Sequence, residues 1–234
     1  MISFEDLNVA PEIKTVLMKY EIDFVFQPIF SRDERIVGYE ALMRPKGKNI
    51  LEFIEEMKKM DALHELELLT FFGATLAYKQ RNYDELLSIN SLPSEAFSRE
   101  EAQAYSECFH PIKEKLIIEI LEYTDEKFWT WSLKQEHVEK YKGIEIALDD
   151  FGTGHNDHAA VEFYQPHMIK LDRTLISGID KDKKKQREVK DCIRKMHSKT
   201  VAVLAEGIET AEEYEYLKNA SVDFFQGYYL ARPS

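Results

Sequence analysis

Eight apolar runs of strand length recur along this 234-residue chain, and after the first two every gap between them holds a segment of helical spacing. The runs are Ile22–Phe30, Arg35–Arg44, Leu86–Leu92, Lys115–Leu121, Ile144–Leu148, Met168–Asp172, Thr200–Glu206 and Asp223–Leu230. An amphipathic lead, Ala10–Tyr20, precedes them. One or two helices fit Ile50–Gln80, and others fit Glu95–Cys108 (opened by Pro93 and Ser94), Glu126–Tyr141, Ala159–Tyr164, Asp182–Ser198 and Ala211–Asn219. The first two strands are separated only by the turn Ser31–Glu34, short enough for an antiparallel hairpin. This alternation predicts an α/β fold, a TIM-type (β/α)8 barrel in which the first strand runs antiparallel. The 44% hydrophobic content supplies the core such a barrel needs, and with no Pro/Gly/Ser-rich linker the chain reads as a single domain, 1–234.

The fifth run is the most informative. It continues from Leu148 into Asp149 and Asp150 and then into the turn Phe151-Gly152-Thr153-Gly154. Adjacent carboxylates at the buried end of a strand repel one another unless a cation or a shared proton compensates. A solvated strand end is the bland alternative, and the other strands weigh against it. Each carries polar residues in an otherwise apolar stretch: Gln27, Glu40 with Arg44, Asn90, Glu119, Lys170 with Asp172, Glu206 and Gln226. A barrel gathers these strand ends on one face, where barrel enzymes place their chemistry. Oxygen donors without His or Cys suit hard cations such as Mg2+ or Mn2+. The carboxylates suffice for two ions about 4 Å apart bridged by one aspartate, the arrangement that clamps an in-line phosphoryl displacement. Lys170 is then placed to hold the nucleophilic water, and Arg44 to grip a phosphate.

Charge narrows the partners. With 43 acidic and 31 basic residues the formal net charge is -12, which argues against tracking a nucleic-acid polymer or an anionic membrane by bulk electrostatics. The basic run Lys181–Arg187 reads as a solvated helix start. Cys108 and Cys192 have no metal-binding spacing and fit a reducing compartment. No basic, apolar leader opens the chain and no run reaches membrane-spanning length, so a soluble cytoplasmic protein is expected. His155 and His158, three residues apart, read as exposed loop or helix-start residues rather than as ligands of a transition metal. A DFG tripeptide without the other kinase motifs excludes a kinase, and a glycosidase needs a carboxylate pair but not Asn90 and Lys170 beside five acids.

These motifs together resemble the EAL-domain cyclic di-GMP phosphodiesterases over essentially the whole length. They stand as Gln27-Pro28-Ile29, Glu40-Ala41-Leu42 within YEALMRP, Asn90 in INSLP, and Glu119 with Glu122 in EILE. Further on come Asp149-Asp150 in DDFGTG, Lys170 in IKLD, Glu206 with Glu209 in AEGIET, and Gln226 in QGYYLARP. The resemblance implies a two-metal site, with Glu40, Asn90, Glu119 and Asp149 on one ion and Asp149, Asp150 and Glu206 on the second and its water. It makes Glu206, Lys170 and Asp150 catalytic, assigns Arg44, Gln27 and Gln226 to the substrate cleft and its water network, and sets Glu122 and Glu209 behind the ligands. It implies hydrolysis of cyclic di-GMP to linear pGpG in bacterial second-messenger signalling, and it is compatible with a homodimer. A catalytically weak cyclic di-GMP receptor and a protein-interaction adaptor are the alternatives. The sequence departs from the family pattern in two places: His155-Asn156-Asp157-His158 replaces a YSSL-like continuation, and the serine near Asn90 is displaced to Ser91. Neither departure removes an expected ligand.

Overall fold

A computed structural model of the chain describes residues 2–121, 144–152 and 158–234. The helix expected over Glu126–Tyr141, the residue Glu122 and the loop positions Thr153 to Asp157 lie outside the described residues. The strands are β1 (Ile22–Ser31), β2 (Ile36–Pro45), β3 (Leu86–Ser91), β4 (Leu116–Ile120), β5 (Glu145–Phe151), β6 (Met168–Leu171), β7 (Ala202–Ala205) and β8 (Phe224–Phe225). They pair in sequence order into a closed barrel. β1 is antiparallel to both β2 and β8, and every other neighbouring pair is parallel. The fold is therefore the expected TIM-type barrel with an inverted first strand.

Around it lie α1 (Pro11–Met18), α2 (Ile50–Lys59), α3 (Leu63–Arg81), α4 (Arg99–Phe109), α5 (His158–Tyr164), α6 (Arg173–Ile176), α7 (Lys183–Ser198) and α8 (Ala211–Asn219). Among the described residues, no helix is long and apolar enough to cross a membrane. The stretch Ile50–Gln80 is two helices. Asn49 opens the first with a capping box to Glu52, and Asp61, at φ 54, breaks the chain before the second.

Alternation along the strands builds two cores. Outward-facing Ile89, Ile118, Leu148, Ile169, Val203 and their neighbours pack against the helices, while Ile29, Ile117, Ala147, Met168 and Leu204 fill the barrel interior at one end. Several element bounds differ from expectation. The helix expected from Glu95 starts at Arg99, because Ser98 and Glu101 close a capping box there. The strand expected to reach Leu230 ends at Phe225, where the chain turns back and Leu230 N–H and Ala231 N–H donate to Gly227 O. The short helix α6 was not anticipated. Asp172, counted among the polar strand residues, caps it by accepting Thr174 N–H at 2.8 Å.

One tether between helices carries a pH signature. His64 of α3 sits 2.9 Å from Glu101 of α4 and 3.5 Å from Glu95. Glu101 and then Glu95 raise its pKa to about 10 against the opposing effect of burial. Burial raises the Glu101 carboxyl, but the His64 contact helps to bring it below its ordinary value. A raised imidazole pKa gives stability that is complete below the unfolded value of 6.5 and fades as pH climbs to about 10. The lowered carboxyl contributes above its unfolded value near 4.5 and is lost in more acid solution. His64→Gln is therefore expected to depress the melting temperature more at pH 6 than at pH 9.5. Equal depression at both would show that the charged pair contributes nothing.

Candidate active site

The interior face of the barrel changes character along its axis. Two residues beyond each apolar interior position, the same face carries a polar side chain: Ile117 leads to Glu119, Ala147 to Asp149, Met168 to Lys170, Leu204 to Glu206 and Phe224 to Gln226. On β3, Leu86 leads through Ser88 to Asn90, and β2 brings Glu40. β1 runs the other way, so its polar residue, Gln27, comes two positions before Ile29 and pairs in register with Glu40. Glu206 and Gln226 lie just past their strands and still extend the ladder, Glu206 N–H donating to Leu171 O at 3.1 Å and Gln226 N–H to Ala205 O at 2.9 Å.

Lys170 stands at the centre of this mouth, with its side chain fully buried. Its Nζ lies 2.8 Å from Glu119 Oε2, 3.1 Å from Asp149 Oδ1, 3.1 Å from Glu206 Oε2 and 3.5 Å from Glu40 Oε2. Glu40 is held from two further sides: Asn90 Nδ2 donates to its Oε1 at 3.1 Å and Gln226 Nε2 to its Oε2 at 2.9 Å. Burial alone would pull the ammonium pKa down, but Asp149, Glu119, Glu206 and Glu40 outweigh it and leave Lys170 well above its ordinary value. Burial also lifts Glu119 far above the carboxylate range, aided by Glu40 and Asp149 and opposed by Lys170. It lifts Glu206 to about 7, again against Lys170.

Asp149 and Asp150 share one opposite residue. The β5–β6 register runs Leu148 to Ile169 and then Phe151 to Leu171, so both aspartates fall against Lys170. Such a bulge departs from strict alternation and re-aims side chains. It places Asp150 in the left-handed region, at φ 49, and Gly152 follows at φ 95. Arg44 is exposed further along β2, its Nη1 donating to Met43 O at 3.0 Å. A cavity of about 210 Å3 opens beside Arg44 and Asn90, walled by Leu42, Ile50, Ile54 and Leu66. Gln27 reaches Ala231 O at 3.4 Å.

The structure thus brings Glu40, Asn90, Glu119, Asp149, Lys170, Glu206 and Gln226 to one mouth. Glu209 does not converge with them: its carboxylate pairs with Arg173 Nη2 at 2.7 Å, and its side chain is about half exposed. Two contributors had gone unnoticed. Ser88 donates its hydroxyl to Glu119, and period two from Asn90 along Leu86–Leu92 was the signal for it. Arg173 bonds both Gly207 O and Glu209, joining the exit of β6 to the exit of β7. No sequence pattern predicts that contact.

Among the described residues, no three His, Cys, Asp or Glu side chains stand in metal-ligand geometry, because the carboxylates close on Lys170. The donor set nevertheless fits a hard cation. Four carboxylates face one ammonium, two of them carry raised pKa values, and Gln226 Oε1 is buried with no hydrogen-bond partner among the described residues. A divalent cation would compensate the excess negative charge without protonation.

The EAL domain family profile matches residues 12–233. The cyclic di-GMP phosphodiesterase TpdA of Vibrio parahaemolyticus is 30% identical over 217 residues, covering 89% of this chain and 36% of the relative. The blue light- and temperature-regulated antirepressor BluF of Escherichia coli is 27% identical, covering 89% of this chain and 53% of the relative. The chain therefore spans about a third to a half of these curated relatives. A standalone versatile EAL protein from Vibrio cholerae, solved in its c-di-GMP-bound form, superposes with a TM-score of 0.80 at 27% identity, covering 93% of this chain and 94% of that one. An EAL domain protein from Listeria monocytogenes superposes with a TM-score of 0.79 at 25% identity, covering 97% and 94%. With the profile matched from the first helix to the last residues and the barrel shared, this chain belongs to the EAL domain family.

Proposed function

We propose that this chain hydrolyses one phosphodiester of cyclic di-GMP to give linear pGpG. The observation that carries the reading is the mouth itself, where four carboxylates, an asparagine and a glutamine surround one buried lysine. Family membership and the names of relatives such as TpdA supply the substrate.

Two divalent cations, Mg2+ or Mn2+, when bound, supply Lewis acidity at the phosphate and an activated water. Glu40, Asn90, Glu119 and Asp149 would hold one of them, and Asp149, Asp150 and Glu206 the other. Glu206, with its pKa near 7, is suited to take up a proton at neutral pH. Lys170, positively charged throughout the physiological range, orients the water by donation and balances the carboxylates. Arg44, exposed beside the mouth, binds a substrate phosphate, while Gln27 and Gln226 line the cleft. Glu209 acts only through Arg173, and Glu122 belongs to the same supporting set. A cytoplasmic location and a homodimer complete the reading.

A second reading has a specific observation behind it. The loop sequence His155-Asn156-Asp157-His158 departs from the family pattern, and one relative is named for antirepression, which favours a receptor or adaptor with weak turnover. Product chromatography separates the two. The chain with cyclic di-GMP and Mn2+ or Mg2+ is expected to form pGpG, chelator to abolish it, and Glu206→Gln to lower the rate by about 100-fold or more while ligand affinity is kept. Near-normal turnover in Glu206→Gln would overturn the role given to that residue. Tight binding without product would make the chain a receptor, and neither binding nor product an adaptor.

A further inference from the structure

Glu67 lies within a buried stretch of α3, between Leu66 and Leu68, and is 2% exposed. Its Oε2 accepts Leu92 N–H at 3.0 Å, and its Oε1 accepts the Ser91 hydroxyl. Ser91 ends β3 and, one residue beyond inward-facing Asn90, points out to the helix layer. A buried carboxylate is costly unless hydrogen bonds compensate it, whereas an apolar side chain would join α3 to β3 without that cost. The polarity therefore serves the end of β3 more than the packing of α3.

We infer that Glu67 is a positioning residue for the Asn90 arm of the cation site, an assignment that rests on the proposed cation binding. By gripping the Ser91 hydroxyl and the next peptide N–H together, Glu67 clamps the last turn of chain before β3 leaves the sheet. Asn90, immediately before the clamp, donates to Glu40 Oε1 and stands in register with Glu119, so one carboxylate in the helix layer governs the aim of three mouth residues. The space to lose that aim is present. The cavity of about 210 Å3 is bounded by Asn90, Leu92 and Glu67 itself, leaving room for an unclamped strand end to relax.

The test is a Mn2+ titration of the full chain without substrate, following the melting temperature, which rises with cation in proportion to ln(1 + [Mn2+]/Kd). Glu67→Leu is expected to require about 10-fold or more Mn2+ for the same rise, the usual effect of losing a residue behind a metal ligand. Glu67→Gln is expected to restore the wild-type requirement, since its carbonyl accepts Leu92 N–H while its amide donates to the Ser91 oxygen. Leu69→Ala, a fully buried position on the same helix, should lower the melting temperature and leave the Mn2+ requirement unmoved. In an Asn90→Ala background Glu67→Leu should add little, because both act through one arm. A Glu67→Leu protein that melts lower at an unchanged Mn2+ requirement overturns the assignment, as does Glu67→Gln behaving like Glu67→Leu. If Glu67→Leu does not fold, Ser91→Ala decides in the same titration, a several-fold shift supporting the clamp and no shift overturning it. A wild-type chain indifferent to Mn2+ and Mg2+ would instead refute the cation site, and the assignment with it.

Discussion

Replacing Lys170 with methionine is expected to destabilise the cation-free protein by about 3–5 kcal/mol, the usual cost of removing one partner from a buried ion pair. For a chain of this size that corresponds to a fall in melting temperature of roughly 6–20 °C. Methionine keeps the bulk of the side chain, so the effect isolates the ammonium. Four carboxylate oxygens within 3.5 Å of Nζ would then face one another with no positive charge between them. Two conditions should restore part of the loss. Divalent cation supplies the missing charge, and acid supplies protons. The sign of the second follows from Glu206, whose folded pKa of about 7 lies above the ordinary 4.5 because of burial. An acid with a raised folded pKa binds more protons folded than unfolded, so it costs stability progressively as pH rises from 4.5 to 7. Lys170 restrains that rise, and its removal should steepen the loss. Melting curves at pH 5 and pH 8, with chelator and with Mn2+, read all of this at once. A Lys170→Met protein that melts within about 2 °C of wild type at pH 8 in chelator, less than 1 kcal/mol by the same conversion, would show that the ammonium does not hold the mouth together.

What the sequence disclosed, and what it hid, follows from the range of the interactions involved. A strand sets its side chains by a period of two, so the inward positions of Ile117 and Glu119, or of Met168 and Lys170, are local properties. Once eight such strands close, the polar members must converge. Asp149 and Asp150 obey a different logic: strict alternation would send one inward and one outward, and the β5–β6 register shift interrupts it there, with the Asp149 carboxylate meeting Lys170 Nζ at 3.1 Å. Their adjacency was visible as an electrostatic problem, and its solution was not. Element ends were the least legible. Ser98 rather than Pro93 opens α4 because its partner Glu101 completes the box, and Asp172 looked like a site residue because a cap and a ligand have the same chemistry. Glu209, expected behind the ligands, pairs with Arg173, which sits 36 residues away in the chain. Glu67 was hidden for the opposite reason. A lone acid in a helix usually marks a solvated face, and its burial becomes evident only when α3 is laid against β3.

The closing of the barrel predicts a second large effect, at Gly227. A Cβ there would stand 2.2 Å from both Ile208 N and Ile208 O, and these are backbone atoms with no side-chain freedom to yield. They are also engaged: Ile208 N–H donates to Gln226 O at 3.1 Å, and Ile208 O accepts Tyr229 N–H at 3.0 Å. The exits of β7 and β8 are thus pressed together one residue after Gln226 and two after Glu206. Gly227→Ala must part them, which is expected to cost about 3 kcal/mol or more, at or beyond the upper end for overpacking, and to lower the melting temperature by roughly 6 °C or more. Because the parted segments carry Glu206 and Gln226, turnover should fall as well, about 10-fold or more where an angstrom of misplacement reaches the reacting groups. Gly178→Ala is the internal control. It also has a positive φ, at 67, but nothing lies within 4 Å of its added carbon, so it should cost only the backbone strain of about 1–2 kcal/mol. Melting temperatures of the two variants, measured side by side, separate steric closure from strain. If Gly227→Ala melts no lower than Gly178→Ala, the contact with Ile208 does not set the barrel's seam, and the placement of Glu206 and Gln226 must be fixed by their ladder bonds to Leu171 and Ala205 alone.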